Sequence, residues 1–143
     1  VTARLLVALQ LVLIVVLFLP WGAGRGRPGL AGTVMAAGVC WLGWAVAVNP
    51  PGNIHIRPVP KAGARLVTSG PYRLVRHPMY LGVLVFCAGP VCLWPEGLKI
   101  SAWLLLFVVL LAKARLEERA LKAQFPEYEG YRRGRHFLVP GVW

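Results

Sequence analysis

The chain has 143 residues, of which 57% are hydrophobic and only 15% charged, with a mean hydropathy of +0.62. Soluble domains carry about a quarter charged residues, so this composition excludes an ordinary soluble globule and points to one small integral membrane domain. The net charge of +11 invites a nucleic-acid reading. The Lys and Arg residues, however, flank the apolar runs, as topology determinants and contacts to anionic headgroups do, so a lipid bilayer is the expected partner and nucleic acid is not.

Residues 5–19 are apolar except for Gln10, a short first span that Arg4 and Trp21 extend into the interface. A signal peptide is the rival reading. Pro20-Trp21-Gly22 makes a poor cleavage site and a second apolar run follows at once, so a span is expected. Residues 21–29, rich in Gly, Pro and Arg, suit only a tight helical hairpin. Residues 30–48 read as a second span, with Gly32, Gly38 and Gly43 placed to let helices approach closely. Asn49-Pro50-Pro51-Gly52 stops it. The longest polar stretch, 53–77, holds Arg57, Lys61, Arg65, Arg73 and Arg76. In so short a chain a loop of this length is usually functional.

Pro78 suits the first turn of a third span ending near Trp94. Trp94-Pro95-Glu96-Gly97 turns the chain into one long helix, apolar to Ala112 and charged from Lys113 to Gln124, where Pro126 follows. The tail places Tyr128 and Tyr131 one helical turn apart beside Arg132, Arg133 and Arg135. The expected fold is therefore all-α: four transmembrane helices at about 4–20, 30–48, 78–94 and 98–112, a loop at 49–77 and a helical extension and tail at 113–143. Of the Lys and Arg residues, thirteen fall on the side of the long loop and both termini; Arg25, Arg27 and Lys99 fall on the other. The positive-inside rule makes the first side cytoplasmic.

Two clusters carry candidate chemistry. Tyr72, Arg73, Arg76, His77 and Tyr80 crowd within nine positions at the mouth of the third span. Such groups also anchor headgroups, but ionisable side chains at a span mouth are costly unless paired or used. Arg and His offer donors to a carboxylate or phosphate, and Tyr an apolar ring with a hydroxyl. In Lys113-Ala-Arg115-Leu-Glu117-Glu118-Arg119, pairs such as Glu118–Lys122 fit a solvated helix. Lys113 and Glu117, four apart, share a face that suits a ligand with both an anionic and a cationic group. The stretch 66–72 reads as a turn, with Gly70 permitting a close backbone approach. Asp is absent, and Cys40, Cys87 and Cys92 lie in apolar runs without a CxxC. Neither a metal site nor a disulfide framework is expected.

Taken together, these residues resemble the isoprenylcysteine carboxyl methyltransferase family. The matching pattern runs from Leu66-Val67-Thr68-Ser69-Gly70-Pro71-Tyr72 through Arg76-His77-Pro78-Met79-Tyr80-Leu81-Gly82 and Glu117-Glu118-Arg119-Ala120-Leu121. It continues through Phe125-Pro126-Glu127-Tyr128-Glu129-Gly130-Tyr131 to Pro140. It covers roughly residues 64–140; the first two spans match only in character, and there are fewer spans than in eukaryotic members.

The resemblance implies S-adenosylmethionine as cofactor and a lipophilic or prenylated acceptor reaching the site from the bilayer. By position it implies Arg65, Leu66, Val67, Tyr72, His77, Met79, Tyr80 and Glu117 as cofactor contacts, and we add Arg76 and Glu118 from the two clusters. Lys113 stands where the family has an arginine that meets the acceptor. Lysine lacks the bidentate fork, and Arg115 is the alternative. Methyl transfer to a carboxylate needs alignment and exclusion of water rather than a strong base, in keeping with the lack of a hydrolytic triad. A phospholipid or amine N-methyltransferase, in which a base would matter more, stays open. So do an NADPH-dependent sterol-reductase-like enzyme, on the shared Arg-His-Pro-x-Tyr segment, and a small membrane protein without catalysis.

Overall fold

The computed structural model describes residues 2–22, 25–53 and 65–141; Arg57 and Lys61 of the long loop, and Val142 and Trp143, lie outside them. Among the described residues five α-helices follow in order: α1 (Thr2–Phe18), α2 (Pro28–Ala47), α3 (Pro78–Leu93), α4 (Gly97–Gln124) and α5 (Tyr128–Arg132). Single 3-10 turns at Pro51–Asn53 and Gly70–Arg73 punctuate the loop between α2 and α3. Among the described residues no strand forms; a lone parallel bridge joins Val75 to His136.

Proline sets the starts of α2 and α3, where its missing N–H costs nothing. Pro90, buried near the end of α3, removes one ladder donor, and the helix stops a turn later. The 28 residues of α4 rise about 42 Å, so its charged end stands clear of a ~30 Å hydrocarbon layer.

The expected all-α architecture is present, with α2 and α4 long and apolar enough to cross a membrane. The expectation of four such spans is met only for these two. α1 and α3, with 17 and 16 residues, rise about 25 Å, short of that thickness. Apolar side chains nevertheless face outward from the helices, among them Leu5, Val12, Val15, Val39, Leu104 and Val108.

Within the bundle α2 packs on α3, α3 on α4 and α4 on α1. The core is Leu13, Leu17, Leu84, Cys87, Leu106, Val109 and Leu110, closed at one end by Phe137 and Leu138 of the tail. The α2–α3 contact depends on small residues. A Cβ on Gly38 would fall 2.5 Å from the Phe86 backbone nitrogen, and one on Gly82 2.6 Å from Leu42 Cγ. Gly32 and Gly43, grouped with Gly38 by sequence, have open space beside them.

Lys99, one of the three cations counted on the short-loop side, is turned into the fold. It is fully buried, and its ammonium donates to the Leu17 and Leu19 carbonyls at 2.8 and 2.9 Å. There it ties the C-terminal end of α1 to α4, satisfying carbonyls that the helix leaves open.

Candidate functional site

The loop that leads into α3 is tied down on three sides. Asn53 grips the Arg65 backbone, Nδ2 donating to its carbonyl at 2.6 Å and Oδ1 accepting from its N–H at 2.9 Å. Gly70 adopts φ +56°, a conformation other residues rarely take, and a side chain there would meet Val48 and Trp44 of the α2 end. The close approach expected at Gly70 is thus made to α2. Asn49 Nδ2 donates to the Tyr72 hydroxyl at 2.8 Å, and the Tyr131 hydroxyl donates to the Tyr72 carbonyl at 2.8 Å.

The tail closes on the same segment. Arg76 N–H donates to the His136 carbonyl at 2.9 Å, and His136 N–H returns to the Leu74 carbonyl at 3.3 Å. The Arg76 guanidinium donates to Glu118 Oε1 at 2.6 Å and to the Arg135 carbonyl at 2.8 Å. Phe137 lies under it, 5.2 Å from ring centre to Cζ. Tyr128 donates to the same Glu118 oxygen at 3.1 Å. Glu118 is therefore turned into the protein. The solvent-side pair expected between Glu118 and Lys122 gives way to one between Lys122 and Glu129, at 2.9 Å on the exposed surface.

His77, just before α3, is 4% exposed and sits between the Tyr80 ring, stacked at 5.7 Å, and the Phe137 ring, edge-on at 5.2 Å. Its two nitrogens face two carboxylates, Nδ1 at 3.7 Å from Glu117 Oε2 and Nε2 at 3.7 Å from Glu118 Oε1. These are ion-pair distances, too long for hydrogen bonds. Nε2 has no hydrogen-bond partner within the protein. Burial pulls the His77 pKa down, but the two carboxylates outweigh it and the net shift is upward. Burial likewise pushes the Glu118 carboxyl up, and His77, Arg76 and Tyr128 together reverse this, holding it at about 2. Burial raises the Tyr72 hydroxyl, with the Glu117 charge adding to it. It also raises Tyr131, to about 12 against the opposing charges of Arg135 and Arg76.

These groups surround a cavity of about 420 Å³, within the roughly 300–1,000 Å³ that holds small molecules. Arg65, Leu66, Val67, Tyr72, Arg76, His77, Met79, Tyr80, Lys113 and Glu117, all singled out in the sequence, line it. Two others do not. Glu118 is spent on Arg76 and Tyr128, and Arg115 points to the exterior from the opposite side of α4 to Ala114 and Lys113, which are buried. The structure thus offers Lys113, not Arg115, to a ligand in the cavity.

The lining also includes residues that sequence reasoning passed over. Asn49 was legible only as a helix stop, yet it carries Tyr72 and leaves a buried Oδ1 without a partner. Gln10, Leu42 and Val83 bring in three helices at the apolar end. For Gln10 a signal existed: a lone amide in an apolar span is costly unless it meets a partner. Among the described residues no group of three or more His, Cys, Asp or Glu gathers in metal-binding fashion.

Comparison with known proteins adds three findings. Residues 34–128 match the family described as phospholipid methyltransferase, a stretch that runs from within α2 through the loop, α3 and α4 to the first residue of α5. A 70-residue segment is 43% identical to the cobalt-zinc-cadmium resistance protein CzcN of Cupriavidus metallidurans, covering 48% of this chain and 32% of that protein. The match thus spans about a third of that relative's length. No solved structure matches.

Proposed function

The chain belongs to the phospholipid methyltransferase family, and on that premise we propose that it methylates a lipid-borne acceptor with S-adenosylmethionine, most readily a carboxylate of the isoprenylcysteine kind. The observation that carries the reading is the mixed character of one cavity: Glu117, His77, four tyrosines and Lys113 line it together with the apolar Leu42 and Val83. The cofactor, when bound, supplies a methyl group on an electrophilic sulfonium. The residues fit it. Glu117 offers a carboxylate to its ammonium, Arg65 at the rim a cation to its carboxylate, and His77 Nε2 a buried polar atom in need of a partner. Tyr72 and Tyr80 offer ring faces to its heterocycle.

His77 supports the choice of a carboxylate acceptor. The Glu117 and Glu118 carboxylates outweigh its burial and shift it toward the charged, donating form. An acceptor that is already ionised needs no base, only alignment and exclusion of water, which the docked tail supplies. The family description favours a second reading, a phospholipid amine acceptor. The loop and tail are proposed to lie on the cytoplasmic side with both ends of the described chain, in a protein that crosses the bilayer four times and thins it locally around its shorter helices.

Thermal unfolding of the detergent-purified protein tests the reading. A ligand at about 100 times its Kd that binds only the folded state adds about 2.7 kcal/mol. S-adenosylhomocysteine is expected to raise Tm and NADPH to leave it unchanged. His77→Ala and Glu117→Ala should each weaken the S-adenosylhomocysteine response while the protein stays helical. Stabilisation by NADPH and not by S-adenosylhomocysteine would overturn the proposal in favour of a reductase.

A further inference from the structure

Where α2 ends, the cavity wall holds a hydrogen-bonding pair whose capacity is only half used. Asn49 Nδ2 donates to the Tyr72 hydroxyl at 2.8 Å and to Met79 Sδ at 3.9 Å, so the amide nitrogen is engaged on both sides. Asn49 Oδ1 is buried and, among the described residues, accepts from nothing. The Tyr72 oxygen is occupied as an acceptor, which turns its own hydrogen away from Asn49. Burial, with the Glu117 charge, keeps that hydroxyl protonated. Both residues are fixed from behind. The Asn49 N–H donates to the Val46 carbonyl at 3.0 Å, and Pro50 follows it. The Tyr72 N–H donates to the Ser69 carbonyl at 3.1 Å, and the Tyr72 carbonyl accepts from Tyr131 at 2.8 Å. Both side chains line the cavity. A buried acceptor without a donor is costly, and here it stands beside an uncommitted donor.

We propose that Asn49 and Tyr72 together read the edge of the cofactor's base: Asn49 Oδ1 accepts from an exocyclic amine, and the Tyr72 hydroxyl donates to the ring nitrogen beside it. This rests on the methyltransferase reading and makes Asn49 a specificity-determining residue of the same cavity. A 6-aminopurine presents that pairing of donor and acceptor, whereas a 6-oxopurine puts an acceptor where the amine was. The oxo group would face Asn49 Oδ1 with no proton between two acceptors, and a site built to hydrogen-bond rejects such an analogue strongly. The Tyr72 hydroxyl, rather than its ring, then meets the heterocycle. The end of α2 takes part in recognition as well as in packing on α3.

The test compares S-adenosylhomocysteine with S-inosylhomocysteine, its 6-oxo analogue, by calorimetric titration of the full chain in detergent. The wild-type protein is expected to bind the amino form about a hundredfold more tightly. Asn49→Leu keeps the size without the oxygen and should bring the two ligands within about threefold of each other. Tyr72→Phe keeps the ring and Asn49 Oδ1 but loses the hydroxyl, and should cut the ratio to about tenfold. If Asn49 served only to carry Tyr72, the Leu variant would bind both ligands more weakly and keep the wild-type ratio, and that result overturns the proposal. So does a Phe variant with the wild-type ratio. A wild type that binds the two forms alike overturns it whether or not the variants fold. A wild type that binds neither form, by contrast, overturns the methyltransferase reading itself.

Discussion

Glu118 gathers contacts from three parts of the chain: Arg76 from the loop, His77 from the mouth of α3 and Tyr128 from α5. Its depressed pKa makes that convergence sensitive to acid. A carboxyl held at about 2, against 4.5 in the unfolded chain, contributes stability that is present above pH 4.5 and is lost as pH falls toward 2. His77 acts in the opposite sense. Its pKa is raised above 6.5, so its contribution is complete below pH 6.5 and is lost as pH rises through the folded value. Stability is therefore expected to peak between about pH 4.5 and 6.5, as read by Tm across a pH series. Glu118→Gln should cost about 3 kcal/mol at that optimum, the lower end for breaking a buried pair, and should flatten the acid limb. An acid limb unchanged in the variant would show that Glu118 is not its source. The Lys122–Glu129 pair stands exposed, where solvent screens it, so Lys122→Ala should leave Tm nearly unaltered.

At the scale of elements, the helices are joined by different devices. α2 and α3 meet through glycines, where hydrophobic patterning has no purchase because lipid and neighbouring helix are equally apolar. Gly38→Ala places a methyl 2.5 Å from a backbone nitrogen of α3, so the helices must separate. A loss of about 1–3 kcal/mol is expected in thermal melts, as for overpacking. Gly43→Ala, with open space at that position, should be close to neutral. α1 is joined to α4 by two lysines, Lys99 on its C-terminal carbonyls and Lys113 on Gln10 at its middle. Each lysine satisfies a polar group that an apolar environment would otherwise leave unpaired.

Over the whole molecule, the cavity forms where segments far apart in sequence converge on one end of the bundle. The loop and the α3 mouth form one wall, the end of α4 another, and the tail folds back over both through Arg76, Tyr131 and Phe137. The proposed four-span topology makes a separate prediction. Single cysteines at Arg25 and Arg133, in a background lacking Cys40, Cys87 and Cys92, should react with an impermeant maleimide from opposite sides of sealed vesicles. Labelling of both from the same side would exclude an arrangement in which α2, α3 and α4 all cross.

Much of this was legible in the sequence. Proline and glycine punctuation fixed the helices to within a few residues, since those residues act through local backbone geometry. The crowding of Tyr72, Arg76, His77 and Tyr80, and the Lys113–Glu117 spacing, marked two walls of the cavity because ionisable groups beside apolar runs need a reason to be there. What only the tertiary structure decided is which way each side chain faces. In a helix apolar all round, periodicity does not distinguish the lipid side from the interior, so neither the partner of Gln10 nor which of Gly32, Gly38 and Gly43 packs against a neighbour could be read off. The same limit applied to Glu117 and Glu118. They are adjacent in sequence and alike in chemistry, and only the fold directs one into the cavity and the other to Arg76 and Tyr128.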